Sequence, residues 1–243
     1  MKIILVTIAI GDKYLQEYNT YFRRSQEAYA QRCGYDFKVI TEFLDPRLQV
    51  RDLISFNKIL VCSTPWARQY DFVIFIDADI FISSTAPPIH SAIDYMGKIG
   101  IVNEYSQPTF EKRLAIQKRM GWESDPSAYY KLAGFDIQTY MVLNTGVLVM
   151  QPAKHREILE IIYTRHFLRA IGHPRGFHFE QSCIGYELQT SGLFAILPNT
   201  FNAIWGIYKM DSDSLDLQEF VNTNYFIHFA GRVDIHKIPT LRT

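Results

Sequence analysis

The chain has 243 residues, 48% of them hydrophobic, which is enough to bury one large core or two small ones. Lys plus Arg equals Asp plus Glu, 25 each, and this zero formal charge argues against a nucleic-acid partner, which calls for a basic excess. Three widely spaced cysteines, Cys33, Cys62 and Cys183, form no zinc or Cys-x-x-Cys pattern and are expected as reduced thiols.

The first ten residues, led by Lys2, look like a short signal sequence. The apolar run ends at Gly11-Asp12 without a small-residue cleavage site, and it is too short to span a bilayer. A buried strand over 3–9 is expected instead. No later stretch reaches spanning length, so we expect no transmembrane segment and a soluble, cytoplasmic protein. A helix over 12–32 follows, with Tyr14, Tyr18, Tyr21 and Phe22 as its apolar stripe and Gly34 as its stop. Next come a strand over 35–41, a helix over 53–66 stopped near Pro65, and a strand over 72–76. Pro87-Pro88 precedes a short helix over 90–96 and a strand over 99–103. A long polar segment spans 104–136. A strand over 140–150, a helix over 153–171, a loop over 172–176, a helix over 180–191 and strands over 194–197 and 225–229 complete the chain. Strands alternating with helices predict an α/β fold with a mostly parallel central sheet flanked by helices, with ligands at the carboxyl ends of the strands.

Phe72-Val-Ile-Phe-Ile-Asp77-Ala78-Asp79-Ile-Phe-Ile82 carries the most chemistry. A run apolar on both faces reads as a central buried strand. Carboxylates are not buried there uncompensated, so Asp77 and Asp79 belong at the strand end, facing a cleft. Each would raise the other's pKa unless a cation sat between them. Hard divalent ions take such ligands and leave positions open for phosphate oxygens, which points to a metal–diphosphate site.

Other segments admit two readings each. Asn144-Thr145-Gly146 interrupts an apolar strand, either as a β-bulge or as a close approach to a ligand or another backbone. Glu180 and Gln181 sit at a predicted helix N-terminus, where an acid also serves the macrodipole. His228 leaves an apolar strand just before Gly231, as a metal ligand or as a satisfied core residue. In the polar segment, Tyr105, Trp122, Tyr129 and Tyr130 accompany Lys112, Arg113, Lys118 and Arg119, as an acceptor-facing loop or as a solvated helix face. Trp205 and Tyr208 are read as a sugar-stacking floor or as core.

Taken in order, the apolar strand with Asp-x-Asp, Asn-Thr-Gly-Val in a strand, acidic-Gln and His-Phe-Ala-Gly resemble nucleotide-sugar glycosyltransferases of the GT-A fold, families 8 and 34, which act with retention. Ser55-Phe-Asn-Lys58 is similar to the basic helix that precedes the Asp-x-Asp strand in those families. The resemblance implies a single domain over 1–243, with a nucleotide-binding half over 1–103 and an acceptor- and sugar-binding half over 104–243. It implies that Asp77, Asp79 and His228 hold Mn2+ or Mg2+, and that Ala78 lies against the donor with them. Thr7, Ile8 and Ala9 would dock the nucleotide base and ribose, Lys58 would face the diphosphate or sugar, Asn144 and Gly146 would flank the sugar, and Gly231 would approach the diphosphate. Glu180, Gln181 and Lys58 would be the catalytic groups. The donor implied is a nucleotide sugar, a UDP-sugar in most members, and the acceptor a carbohydrate or glycoconjugate hydroxyl.

One departure stands out. Family 8 places a Lys six residues after its histidine, on the departing diphosphate, where this chain has Asp234; Arg232 and Lys237 are the nearby cations that could substitute for it. An inverting transferase would need a carboxylate base, with Asp136, Glu180 and Asp234 as candidates. Among rival classes, a haloacid-dehalogenase-type phosphatase wants Thr or Val where Phe81 stands. A sugar-phosphate nucleotidyltransferase wants a Gly-rich phosphate loop, and residues 8–13 hold one Gly. A non-catalytic nucleotide-sugar-binding protein would be expected to have lost one of Asp77, Asp79 or His228.

Overall fold

The computed structural model describes residues 1–49, 53–122, 125–172 and 179–241. In chain order these form β1 (Ile3–Ile8), α1 (Asp12–Tyr21), α2 (Arg23–Cys33), β2 (Asp36–Ile40), α3 (Pro46–Gln49), β3 (Phe72–Ile76), β4 (Ile80–Ile82) and β5 (Ile99–Asn103). They continue as α4 (Phe110–Met120), α5 (Pro126–Leu132), β6 (Leu143–Met150), α6 (Pro152–Gly172), α7 (Phe179–Ser191), β7 (Phe194–Ile196), β8 (Ala203–Ile204), α8 (Trp205–Asp211), α9 (Leu217–Thr223) and β9 (Phe226–His228).

The main sheet has six strands in the order β2-β1-β3-β6-β5-β7. Pairing of β1 with β2 and β3, and of β5 with β7, is parallel; β6 runs against both β3 and β5. The expected mostly parallel α/β sheet is therefore present, with one reversed strand near its centre. That strand comes from the second half of the sequence, so residues on both sides of position 103 share the sheet.

The β3 side chains alternate between two cores. Val73 and Phe75 pack with the 3-10 segment Ile54–Ser63 and with Leu159 and Ile162 of α6. Ile74 and Ile76 pack on the other face with Tyr29 and Ala30 of α2. Both faces of the strand are apolar because both are covered.

A second sheet, β4-β9-β8, holds the strand expected over 225–229 as β9, but its pairing with β4 and β8 was not legible in the sequence. Its strands have two or three residues, too short to show a period. It determines the site, because β3 leaves the main sheet at Asp77 and re-enters the small one at Ile80.

The remaining differences are local. Residues 12–32 form two helices rather than one, broken at Phe22, whose side chain is buried in the core. Gly34 ends α2 in the left-handed region at φ 68°, as its position suggested. Residues 54–63 adopt 3-10 geometry, and the helix expected over 90–96 shrinks to one turn, Ile89–Ser91. The polar segment contains α4 and α5. After Gly172, the loop expected over 172–176 falls outside the described residues. Among the described residues no helix is long and apolar enough to cross a membrane, and the three cysteines are unpaired.

Candidate active site

The carboxyl ends of β1, β3 and β5 meet the amino end of the reversed β6 around a cleft of about 890 Å³. Asp77 lies at the end of β3, where its N–H donates to the Gly146 carbonyl at 2.8 Å. Asp79 lies at the start of β4. Antiparallel pairing sets Ile80 opposite His228, and the Phe229 N–H donates to the Asp79 carbonyl at 2.9 Å. The small sheet thus carries a histidine 149 residues away in sequence to the second aspartate.

One ligand atom from each of Asp77, Asp79 and His228 falls within 4.8 Å of the others. His228 Nε2 stands 3.3 Å from Asp79 Oδ1, and its Nδ1 is 2.9 Å from Asn202 Oδ1. An amide oxygen only accepts, so Nδ1 carries the proton and Nε2 presents its lone pair to the carboxylates in the neutral ring. Two carboxylates and one imidazole suit a divalent ion, and the Asn202 amide fixes the tautomer such a ligand requires. The residues fit the metal.

Charges in the cleft are paired within the chain. Lys58, on the 3-10 segment, is 2% exposed. Its Nζ donates to Asp77 Oδ1 at 2.9 Å and to the carbonyl and hydroxyl oxygens of Thr145 at 3.3 Å each, and lies 3.8 Å from Glu180 Oε1. Burial pulls the Lys58 pKa down, but the Asp77 and Glu180 carboxylates outweigh it and hold the ammonium above the ordinary lysine range. Burial pushes the Asp77 carboxyl up, a rise only partly opposed by Lys58. For Asp79 burial is outweighed by His228, and its carboxyl is lowered; His228 is raised because Asp79 outweighs the burial of the imidazole.

Behind these residues runs a buried relay. Asn202 Nδ2 donates to Asn144 Oδ1 at 2.7 Å, and Asn144 Nδ2 donates to Glu104 Oε2 at 2.7 Å. Gln181 is engaged at both ends of its amide: Oε1 accepts from the Thr145 N–H at 3.3 Å, and Nε2 donates to Glu104 Oε2 at 3.2 Å and to the Tyr129 hydroxyl at 3.1 Å. If the cleft holds a divalent ion, replacing Asn202 by leucine is expected to weaken its binding about 10–100-fold, measured by titration calorimetry with Mn2+, because His228 loses the acceptor that fixes its ring.

Of the residues expected from the sequence, Lys58, Asp77, Ala78, Asp79, Asn144, Glu180, Gln181, His228 and Gly231 line the cleft. From the end of β1, only Ile8 joins them; Thr7 and Ala9 are fully buried and do not line it. Gly146 is packed behind the imidazole, where an added Cβ would lie 2.7 Å from His228 Cε1 and 2.9 Å from Asn144 Oδ1. The register slip of β5 on β6 between Gly100 and Val102 fits the β-bulge reading, while the close approach at Gly146 is to the His228 imidazole rather than to a ligand or another backbone, and Gly146 does not line the cleft. Gly146→Ala is expected to displace His228 and cost about 1–3 kcal/mol of stability, together with Mn2+ affinity; thermal unfolding with and without Mn2+ measures both.

Three readings left open by the sequence are narrowed. Arg232 pairs with Glu17 at 3.0 Å and Lys237 with Asp234 at 2.8 Å, and neither lines the cleft. Asp234 also accepts from Trp205 Nε1 at 3.1 Å. The cations of the described lining are Lys58 and Arg113. Trp205 and Tyr208 pack on Phe220, with ring centroids at 5.1 and 4.9 Å, and belong to core packing rather than to a sugar floor. On α4, Lys112, Lys118 and Arg119 form a solvated face, but Arg113 is buried.

Sequence reasoning passed over Glu104 and Asn202. Glu104 had a signal: it ends the buried strand β5 just as Asp77 ends β3. Asn202 had none, being one polar residue before a two-residue strand.

No family model and no curated protein matches the sequence. Solved structures match the fold. A glycosyltransferase involved in the glycosylation of the major capsid of PBCV-1 is 16% identical with a TM-score of 0.62, over 99% of this chain and 98% of that one. The galactosyltransferase LgtC, in complex with donor and acceptor sugar analogs, is 12% identical with a TM-score of 0.55, over 99% and 96%. The bifunctional glycosyltransferase WbbM is 13% identical with a TM-score of 0.56, over 95% of this chain and 46% of its own. The chain has the GT-A fold of these glycosyltransferases.

Proposed function

We propose that this protein is a metal-dependent glycosyltransferase that moves a hexose or related sugar from a nucleotide diphosphate donor, UDP in the simplest case, to a hydroxyl of a carbohydrate or glycoconjugate, with retention. The observation that carries this reading is the convergence of Asp77, Asp79 and His228 with Lys58 and Glu180 in one cleft at the strand ends. The GT-A fold supports it.

The leaving group sets the demands on the residues. A departing nucleoside diphosphate gathers negative charge as its bond to the sugar breaks. Bound Mn2+ or Mg2+ would neutralise that charge as a Lewis acid, held by Asp77, Asp79 and His228. Lys58 adds a cation fixed in place by Asp77 and Thr145, so no reorganisation is needed at the moment of reaction. This role would otherwise have fallen to the position of Asp234. Glu180, beside Lys58, faces the sugar side and stabilises the positive charge that builds on the ring. Gln181 has its amide committed to Thr145, Glu104 and Tyr129, which suits positioning β6 against α7. With retention, the acceptor hydroxyl approaches on the face the diphosphate leaves, and its proton passes to the departing phosphate. Glu180 then needs no base function.

A panel of nucleotide sugars with Mn2+, scored for heat stabilisation, donor hydrolysis and transfer, tests the reading. Stabilisation by UDP that is independent of Mn2+ and unchanged in Asp79→Ala would sink the metal-site assignment. A product of inverted anomeric configuration, read by NMR, would sink retention.

A further inference from the structure

Helix α4 carries one cation that its exposed neighbours do not explain. Arg113 is 5% exposed. Its Nη2 donates to Glu104 Oε1 at 2.9 Å, and the guanidinium lies 5.0 Å from the centre of the Tyr105 ring. Nε and Nη1 of the same guanidinium are buried and have no hydrogen-bond partner among the described residues. One helical turn on, Gln117 is 4% exposed and donates from Nε2 to the Tyr105 hydroxyl at 2.7 Å, while its Oε1 is buried without a partner. Buried polar groups are nearly always paired, and an orphan costs stability. Two such residues at i and i+4 stand on one face of α4, and both line the cleft beside Glu104. No described residue supplies their missing partners, and both side chains face a cleft that a ligand can enter.

The chemistry of those partners is constrained. Arg113 offers N–H donors and Gln117 an acceptor, so the ligand must accept from one and donate to the other. Alcohol hydroxyls do both. A carboxylate only accepts; it would confront Gln117 Oε1 with a second acceptor, next to Glu104, whose charge already neutralises Arg113. Trp122, 43% exposed, lines the same cleft and gives an apolar face on which a sugar ring can rest.

We infer that Arg113, Gln117 and Trp122 form the acceptor subsite, and that it takes a neutral, hydroxyl-bearing sugar and discriminates against uronic acids. This rests on the transferase reading above and adds the class of acceptor.

The test uses protein loaded with UDP and Mn2+, and p-nitrophenyl glycosides of galactose, N-acetylglucosamine and glucuronic acid as probes. Saturation-transfer NMR reads their binding, and transfer assays read the acceptor KM. The neutral glycosides are expected to bind in preference to the glucuronide. In Gln117→Met the acceptor KM is expected to rise about tenfold, with UDP affinity by calorimetry unchanged. Arg113→Lys, which keeps a cation for Glu104, is expected to raise the acceptor KM similarly. A glucuronide that binds as well as the neutral probes, or an acceptor KM that neither substitution moves, overturns the inference while UDP binding stands. A Gln117→Met protein that loses Tm without a change in acceptor KM shows a structural role and overturns it as well. Failure of the wild type to bind UDP with Mn2+ overturns the transferase reading itself.

Discussion

Asp79→Ala is expected to reduce sugar transfer about 10²–10³-fold, the loss typical when one group stabilising transition-state charge is removed. Asp79 is a carboxylate of the proposed metal site and the partner of His228 Nε2 at 3.3 Å, so on that reading its removal takes one ligand and loosens another. The fold is expected to survive. The strand pairing that holds this corner together runs through main-chain atoms, with Phe229 N–H on the Asp79 carbonyl and Ile80 opposite His228. The two consequences separate in one measurement. Wild-type protein at a hundredfold excess of ligand over Kd gains about 2.7 kcal/mol from UDP with Mn2+, a rise in Tm of roughly 5–10 °C for a chain of this size. The variant is expected to melt near the ligand-free wild type and to gain nothing from the pair. Full stabilisation of Asp79→Ala would mean that the diphosphate is held elsewhere, with Lys58 and Arg113 as the remaining cations of the described cleft lining.

What the sequence disclosed follows from which interactions are local. The β3 run and Asp77-Ala78-Asp79 were legible because a doubly buried strand must be apolar throughout, and a carboxylate at its end therefore stands out. Gly34 was legible because a left-handed residue ends the helix within one turn of it. The partner of Asp79 is another matter. His228 reaches it only because β4 and β9 pair, and although a strand over 225–229 was expected, nothing local says which strand it pairs with. The resemblance supplied that histidine; no spacing rule did. Arg113 was masked for a different reason. It shares a helix with Lys112, Lys118 and Arg119, and residue type alone does not say which of four cations turns inward against Glu104. The leaving-group cation failed in the same way. Arg232 and Lys237 lie near His228 in sequence, yet each is drawn off by its own carboxylate. Proximity along the chain was a poor guide to a site assembled from β3, β6, β9 and α7.

Lys58 carries the largest expected effect on stability. It is the buried cation between Asp77 and Glu180, at 2.9 and 3.8 Å, and it also ties down Thr145 on β6. Lys58→Met keeps the length of the side chain and removes the charge. Breaking a buried pair by deleting one partner costs about 3–5 kcal/mol, because the other charge stays behind unpaired. Tm is then expected to fall by roughly 6–20 °C. The pH dependence identifies the cause. Burial already holds the Asp77 carboxyl above the ordinary range, and Lys58 is what opposes the rise. Without Lys58 the folded-state pKa of Asp77 climbs further above its unfolded value, so the folded form binds the extra proton. Its deficit relative to wild type is therefore expected to be larger at neutral pH than at a mildly acidic pH, growing as pH rises through the raised Asp77 pKa. Mn2+ acts in the same direction as acid, since a cation bound by Asp77 replaces the one removed, and saturating Mn2+ is expected to restore part of the lost Tm at neutral pH. A deficit that is equal at both pH values and unmoved by Mn2+ would show that Lys58 acts through packing on Phe75, whose ring centre lies 5.2 Å from its ammonium, and not as the cation that balances the carboxylates of the cleft.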